Sequence, residues 1–173
     1  MADESVNSAL LVIDVQQGLF ERSAPIYQAE KVLDNINFLV EKAHQENIPV
    51  IYIQHANDTT LQKGTREWQF HPQIKPQQDD LHIHKQHGNA FEETELHTEL
   101  QKRNITRIIA TGLVTHGCVK STCLGGLELD YQVVLASDAH SNFSNTAKQI
   151  IKQWHTKLAG AGTELLETSQ IGF

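Results

Sequence analysis

Three residues of this chain have the types and placement that covalent chemistry requires: a cysteine, an aspartate and a lysine, each closing an apolar run. Cys118 follows the run Arg107-Ile108-Ile109-Ala110-Thr111-Gly112 and the short turn Leu113-Val114-Thr115-His116-Gly117. That pattern reads as a buried strand that stops at a glycine, turns, and presents a thiol where the next helix begins. At a helix start, free backbone N–H groups and the positive end of the helix dipole favour a thiolate and an oxyanion. Asp14 closes Ala9-Leu10-Leu11-Val12-Ile13, and Lys85 closes Leu81-His82-Ile83-His84. In a parallel α/β sheet, ligands gather beyond the carboxyl ends of the strands near a topological switch point, so three strand ends would bring these groups to one edge. A nucleophilic thiol needs a base for its proton and a cation for its charge, and this set supplies both. On this reading the Cys118 thiol is expected to be unusually acidic, well below the free value of about 8.5.

The elements that must position these groups alternate along the chain. Ala9–Val15 reads as a fully buried strand. Residues from about Glu30 to Gln45 read as a helix, because Val32, Leu33, Ile36, Leu39, Val40 and Ala43 recur at three- and four-residue spacings. Further strands are expected at Val50–Ile53, Leu81–His84, Ile105–Thr111, Gln132–Ala136 and, as a sixth, Thr163–Glu167. Further helices are expected at Thr94–Arg103, Cys118–Leu129 and Thr146–Ala159. Gly125-Gly126 inside a helix costs roughly 1 kcal/mol per glycine against alanine, which points to close packing on the sheet or on a neighbouring subunit. The alternation predicts an α/β fold: a three-layer αβα, doubly wound, Rossmann-like arrangement around a mostly parallel sheet of five to six strands. At 173 residues this is most simply one domain, residues 1–173. The long polar segment Gln54 to Asp80 is the one connection whose length marks it as functional or irregular.

In order and spacing, four stretches make the chain resemble the isochorismatase-like cysteine hydrolases, which include nicotinamidases, N-carbamoylsarcosine amidase and isochorismatases. They are Leu11-Val12-Ile13-Asp14-Val15-Gln16, Lys85 with Ala90-Phe91-Glu92-Glu93-Thr94-Glu95-Leu96, Gly112 to Val119, and Ser137-Asp138-Ala139. The resemblance covers nearly the whole length. It implies Asp14 as proton shuttle, Lys85 as cationic partner and Cys118 as nucleophile. It also implies a cis peptide between Leu113 and Val114, and an oxyanion hole made by the N–H groups of Val114 and Cys118. Cys118 stands on the sixth position after Gly112, where isochorismatases typically carry glycine, and this favours thioester chemistry on an amide or carbamoyl C–N bond over vinyl-ether hydrolysis. By the same resemblance Gln16, Phe20, Trp68 and His116 are candidates for contacting substrate, His116 equally for capping the helix start.

No metal and no cofactor are expected. Nicotinamidases bind metal through an Asp-x-His pair after the second strand, where this chain reads Gln54-His55-Ala56-Asn57-Asp58, and no phosphate-binding glycine spacing accompanies the sheet. A formal charge of −7 argues against nucleic acid and acidic membranes as partners. No apolar stretch approaches the roughly 20 residues of a membrane span. Met1-Ala2-Asp3-Glu4-Ser5 shows no secretory pattern, so a cytoplasmic location is expected. The expected partners are a small-molecule substrate and further copies of the chain, since the family commonly completes its pockets across a subunit interface. Three alternatives stay open: another hydrolase of the same fold, a thiol redox sensor, and a non-catalytic binding module.

Overall fold

The computed structural model describes residues 6–173. Residues 1–5, on which the absence of a secretory pattern was read, lie outside it. Six strands form one all-parallel sheet: β1 (Ser8–Ile13), β2 (Val50–His55), β3 (Leu81–Lys85), β4 (Arg107–Leu113), β5 (Gln132–Ser141) and β6 (Glu164–Leu166), in the order β3-β2-β1-β4-β5-β6. Every residue of β1 is buried, because helices cover both faces of the sheet. Its side chains alternate between two cores. Ala9, Leu11 and Ile13 pack toward helices α3 (Leu96–Lys102), α4 (Lys120–Glu128) and α5 (Ala147–Ala161), whereas Leu10 and Val12 pack toward α2 (Ala29–Gln45). The apolar stripe predicted for α2 is the face it buries. A single helical turn, α1 (Gln17–Phe20), had no periodicity by which to be seen in the sequence.

Two elements depart from the sequence reading. β5 runs five residues past Ala136, through Ser137-Asp138-Ala139-His140-Ser141, although these polar residues break the apolar run. They are tolerated because they are partnered: Asp138 accepts hydrogen bonds from the Thr168 backbone N–H at 2.8 Å and hydroxyl at 2.6 Å, and Ser141 donates to the Tyr27 carbonyl at 2.6 Å. The helix expected from Cys118 begins instead with a widened π-helical turn, Thr115–Val119, in which Gly117 leaves helical geometry at φ −119° and ψ −111°. The Gly125-Gly126 pair packs inward. A Cβ on Gly126 would stand 2.7 Å from Ile108 Cδ1 of the sheet, and one on Gly125 would overlap the Asn89 side chain. No helix among the described residues is long and apolar enough to cross a membrane.

Candidate active site

The sheet order reverses between β1 and β4, and the crevice this creates is where the two strands deliver Asp14 and the turn that carries Cys118. β1 ends at Ile13, paired in register with Gly112. Asp14 then turns the chain away in the left-handed region at φ 51°, which aspartate tolerates better than most residues. Beyond Gly112 the Leu113-Val114 peptide is cis. From the other side, β2 ends at His55 and β3 at Lys85, residues paired with each other in register.

These four strand ends converge on one atom. Lys85 Nζ lies 3.0 Å from Asp14 Oδ2, 3.1 Å from Cys118 Sγ, 3.1 Å from His55 Nδ1 and 3.0 Å from the His87 carbonyl oxygen. An ammonium has three hydrogens for these four neighbours, so not all four contacts are full hydrogen bonds at once. Lys85 and Asp14 are each only 2% exposed. A buried ion pair is maintained against its desolvation cost only where the geometry is this complete. The second carboxylate oxygen, Asp14 Oδ1, is buried and has no hydrogen-bond partner among the described residues.

The thiol is not acidic, contrary to the expectation from the sequence. Burial, and then the charge of Asp14, push Cys118 up to about 12, and Lys85 offsets them only partly. The helix-start argument is outweighed because the thiol is buried and faces the Asp14 carboxylate as well as Lys85, and burial and that carboxylate both act against a thiolate. His55 is held below its usual range by burial and by Lys85, so it stays neutral. Donor atoms of Asp14, His55 and Cys118 lie within 4.8 Å of one another, a spacing that could hold a metal, but the Lys85 ammonium occupies the point on which they converge.

A cavity of about 200 Å³ opens onto Asp14 and Cys118, walled by His55, Arg22, Leu61 and Phe143. A second hollow of about 280 Å³ lies near the amino-terminal ends of β2 and β3, around His44, Pro49 and Arg103, and holds no nucleophile. Val114 lines the cavity that holds Cys118; Gln16, Phe20, Trp68 and His116 do not line it. Gln16 is a brace: its amide donates to the carbonyls of His55 (3.0 Å) and Trp68 (2.8 Å) and accepts from the His55 N–H (3.0 Å). Trp68 packs edge-on against His84, and Phe20 lies tilted against His71 and joins the small core that also holds Val114 and Phe143. His116 is half-buried and held below its usual range by burial and Lys120.

His55 was legible by the same rule that found Asp14 and Lys85, since it ends a strand between theirs. The sequence reading considered it only as a metal ligand. Arg22 and Phe143 come from irregular segments and carried no signal.

Behind the nucleophile turn, a hydrogen-bonded chain leads away from the site. Thr115 Oγ1 is 2.9 Å from His140 Nδ1, and His140 Nε2 is 2.8 Å from His155 Nε2 on α5. Complete burial and the neighbouring His155 lower the pKa of His140 to about 3. An unfolded chain protonates this histidine near 6.5, whereas the folded protein keeps it neutral down to about 3, so the unfolded state binds the proton first. His140 therefore removes stability as pH falls through that window, by about 1.4 kcal/mol per pH unit. Urea unfolding of wild type and His140→Gln at pH 6.5 and 5.0 checks this: the wild type is expected to lose more stability between the two.

The sequence matches the isochorismatase domain model over residues 8–165. The chain belongs to the isochorismatase family. It is 28% identical to a streptothricin hydrolase of Streptomyces noursei over 78% of this chain and 50% of that protein. It is 29% identical to a probable inactive nicotinamidase of Arabidopsis thaliana over 80% of this chain and 83% of that one. A crystal structure of an isochorismatase family protein superimposes with a TM-score of 0.88 at 30% identity, covering 93% of this chain and 98% of that one. Family membership and fold support a hydrolase.

Proposed function

We propose that this hydrolase is a cysteine amidohydrolase that cleaves a C–N bond of a small amide or carbamoyl compound through a thioester. The observation that carries this is the buried Asp14 Oδ1, without a hydrogen-bond partner among the described residues, on a carboxylate beside the Cys118 thiol. Oδ2 is engaged by Lys85, so Oδ1 is the acceptor left for the thiol proton. As that proton moves to Asp14, Lys85 exchanges a carboxylate counterion for the growing thiolate without leaving its place. The sulfur attacks the carbonyl carbon, and the oxyanion is received by the N–H groups of Val114 and Cys118. The C–N bond then breaks as Asp14 returns the proton to the departing nitrogen. Water, deprotonated by Asp14, adds to the thioester carbonyl; the C–S bond breaks, Asp14 returns the proton to the Cys118 sulfur, and the acid leaves.

The redox-sensor reading has less support. Cys123, the other thiol, is fully buried and pushed up to about 12 by burial, which leaves no accessible resolving partner. The test is to incubate the protein with a panel of primary amides, lactams and carbamoyl compounds. Ammonia or amine release is expected, with an acyl adduct on Cys118 in acid-quenched samples by mass spectrometry. No release from any compound, and no adduct, would remove the reading.

A further inference from the structure

The charges that face the catalytic cavity do not cancel. Asp14 is matched by Lys85, His55 is neutral and the thiol is protonated. Arg22 remains. Among the described residues it has no carboxylate within 4.0 Å, in a chain of 21 acidic and 14 basic residues. Its sequence neighbour Glu21 is taken by Arg66. The guanidinium instead lies 4.5 Å over the ring of Phe143, another residue of the same wall. Stacking fixes the plane of the guanidinium while leaving its donor edge unengaged. Asn57, also on the wall, gives its side-chain oxygen to the N–H groups of Thr59 (3.0 Å) and Leu61 (2.9 Å), and its NH₂ has no acceptor among the described residues.

We propose that the substrate carries a carboxylate, or a comparable anionic group, a short chain away from the scissile carbonyl, and that Arg22 binds it with help from Asn57. The inference rests on the amidohydrolase reading for its scissile bond, but not for its anion site. A planar guanidinium offers a carboxylate two parallel hydrogen bonds, and stacking on Phe143 lowers the cost of ordering it. A cavity of about 200 Å³ accepts a compact molecule, with the anion at Arg22 and the carbonyl at Cys118.

Two measurements separate the parts. The first follows alkylation of Cys118 by iodoacetamide at fixed pH, with succinate or the neutral butane-1,4-diol as protectant. Succinate is expected to slow labelling and the diol not to; Arg22→Gln should abolish the protection and Arg22→Lys should keep part of it. Equal effects of the two protectants, or protection that survives Arg22→Gln, would overturn the proposal. The second compares ammonia release from succinamate and butyramide. A preference for the anion of about tenfold or more in kcat/KM is expected, carried mainly by KM and collapsing in Arg22→Gln. A neutral amide turned over as well as its anionic match would also overturn it. Succinate protection with no ammonia from any amide would instead sink the amidohydrolase reading and leave the anion site standing.

Discussion

Turnover by Cys118→Ala, Asp14→Asn and the double variant is expected to fall to nearly the same floor. Asp14→Asn keeps shape but cannot accept the thiol proton, and the loss of such a base is worth on the order of 10²–10⁴-fold. Cys118→Ala removes the atom that attacks, so nothing remains for Asp14 to activate. If the two residues handle one proton, the second removal finds little left to take away. The measurement is kcat for wild type, both single variants and the double variant on one hydrolysable amide. Strictly multiplicative losses would mean that Asp14 and Cys118 act independently, and the shared-proton mechanism would fall. Lys85 is the less clean probe. Lys85→Met leaves the Asp14 carboxylate buried without its counterion, and breaking a buried pair this way costs about 3–5 kcal/mol of stability. Its loss of activity would report folding as well as chemistry.

Gly112→Ala is expected to be among the most destabilising single substitutions in the chain. Gly112 sits at φ +114°, where a side chain is strained, and an added Cβ would overlap the Ile13 carbonyl oxygen on the neighbouring strand. Backbone strain of about 1–3 kcal/mol and overpacking of a similar size add to roughly 2–6 kcal/mol. Gly160→Ala is the control: it lies in α5, a Cβ there meets nothing within 4 Å, and a gain of about 0.5–1 kcal/mol is expected from helix propensity. Urea midpoints for the two variants should move in opposite directions. A Gly112→Ala protein as stable as wild type would show that the β1–β4 junction is looser than the register implies. Because Asp14 follows Ile13 directly, whatever of this variant folds should also be catalytically impaired.

The strand ends were legible because the rule that reads them is local. An apolar or alternating run ending in a polar group predicts a strand and its terminus: Asp14 and Lys85 close such runs directly, and Cys118 follows one after a short turn. The full extent of β5 was not legible, since Asp138 and His140 are accommodated in the strand through Thr168, His155 and Thr115, distant in sequence. The thiol's acidity was misread for the same reason. A helix start and a lysine argue for a low pKa when taken alone, and only the three-dimensional burial of the thiol, with the Asp14 charge beside it, reverses the direction. The cavity wall was the least legible part. Trp68 and Phe20 look like substrate contacts by type and position, yet Trp68 packs on His84 of β3 and Phe20 on His71 and the neighbouring core, while Arg22 and Phe143, 121 residues apart (143 − 22), meet through folding alone.

The edge position of β3 sets how the site can be disarmed. Asp14, His55 and Cys118 follow or end strands with a neighbour on each side, but Lys85 ends a five-residue strand bonded only to β2. Edge strands open at lower free energy than the sheet interior, by excursions that leave the rest of the domain intact. An opening that carries Lys85 outward would leave the Asp14 carboxylate and the thiol facing each other with no cation between them, a folded but incompetent state. On the proposed mechanism, activity under mild heat or dilute denaturant is then expected to be lost through the fraying of one short strand, before the domain itself unfolds.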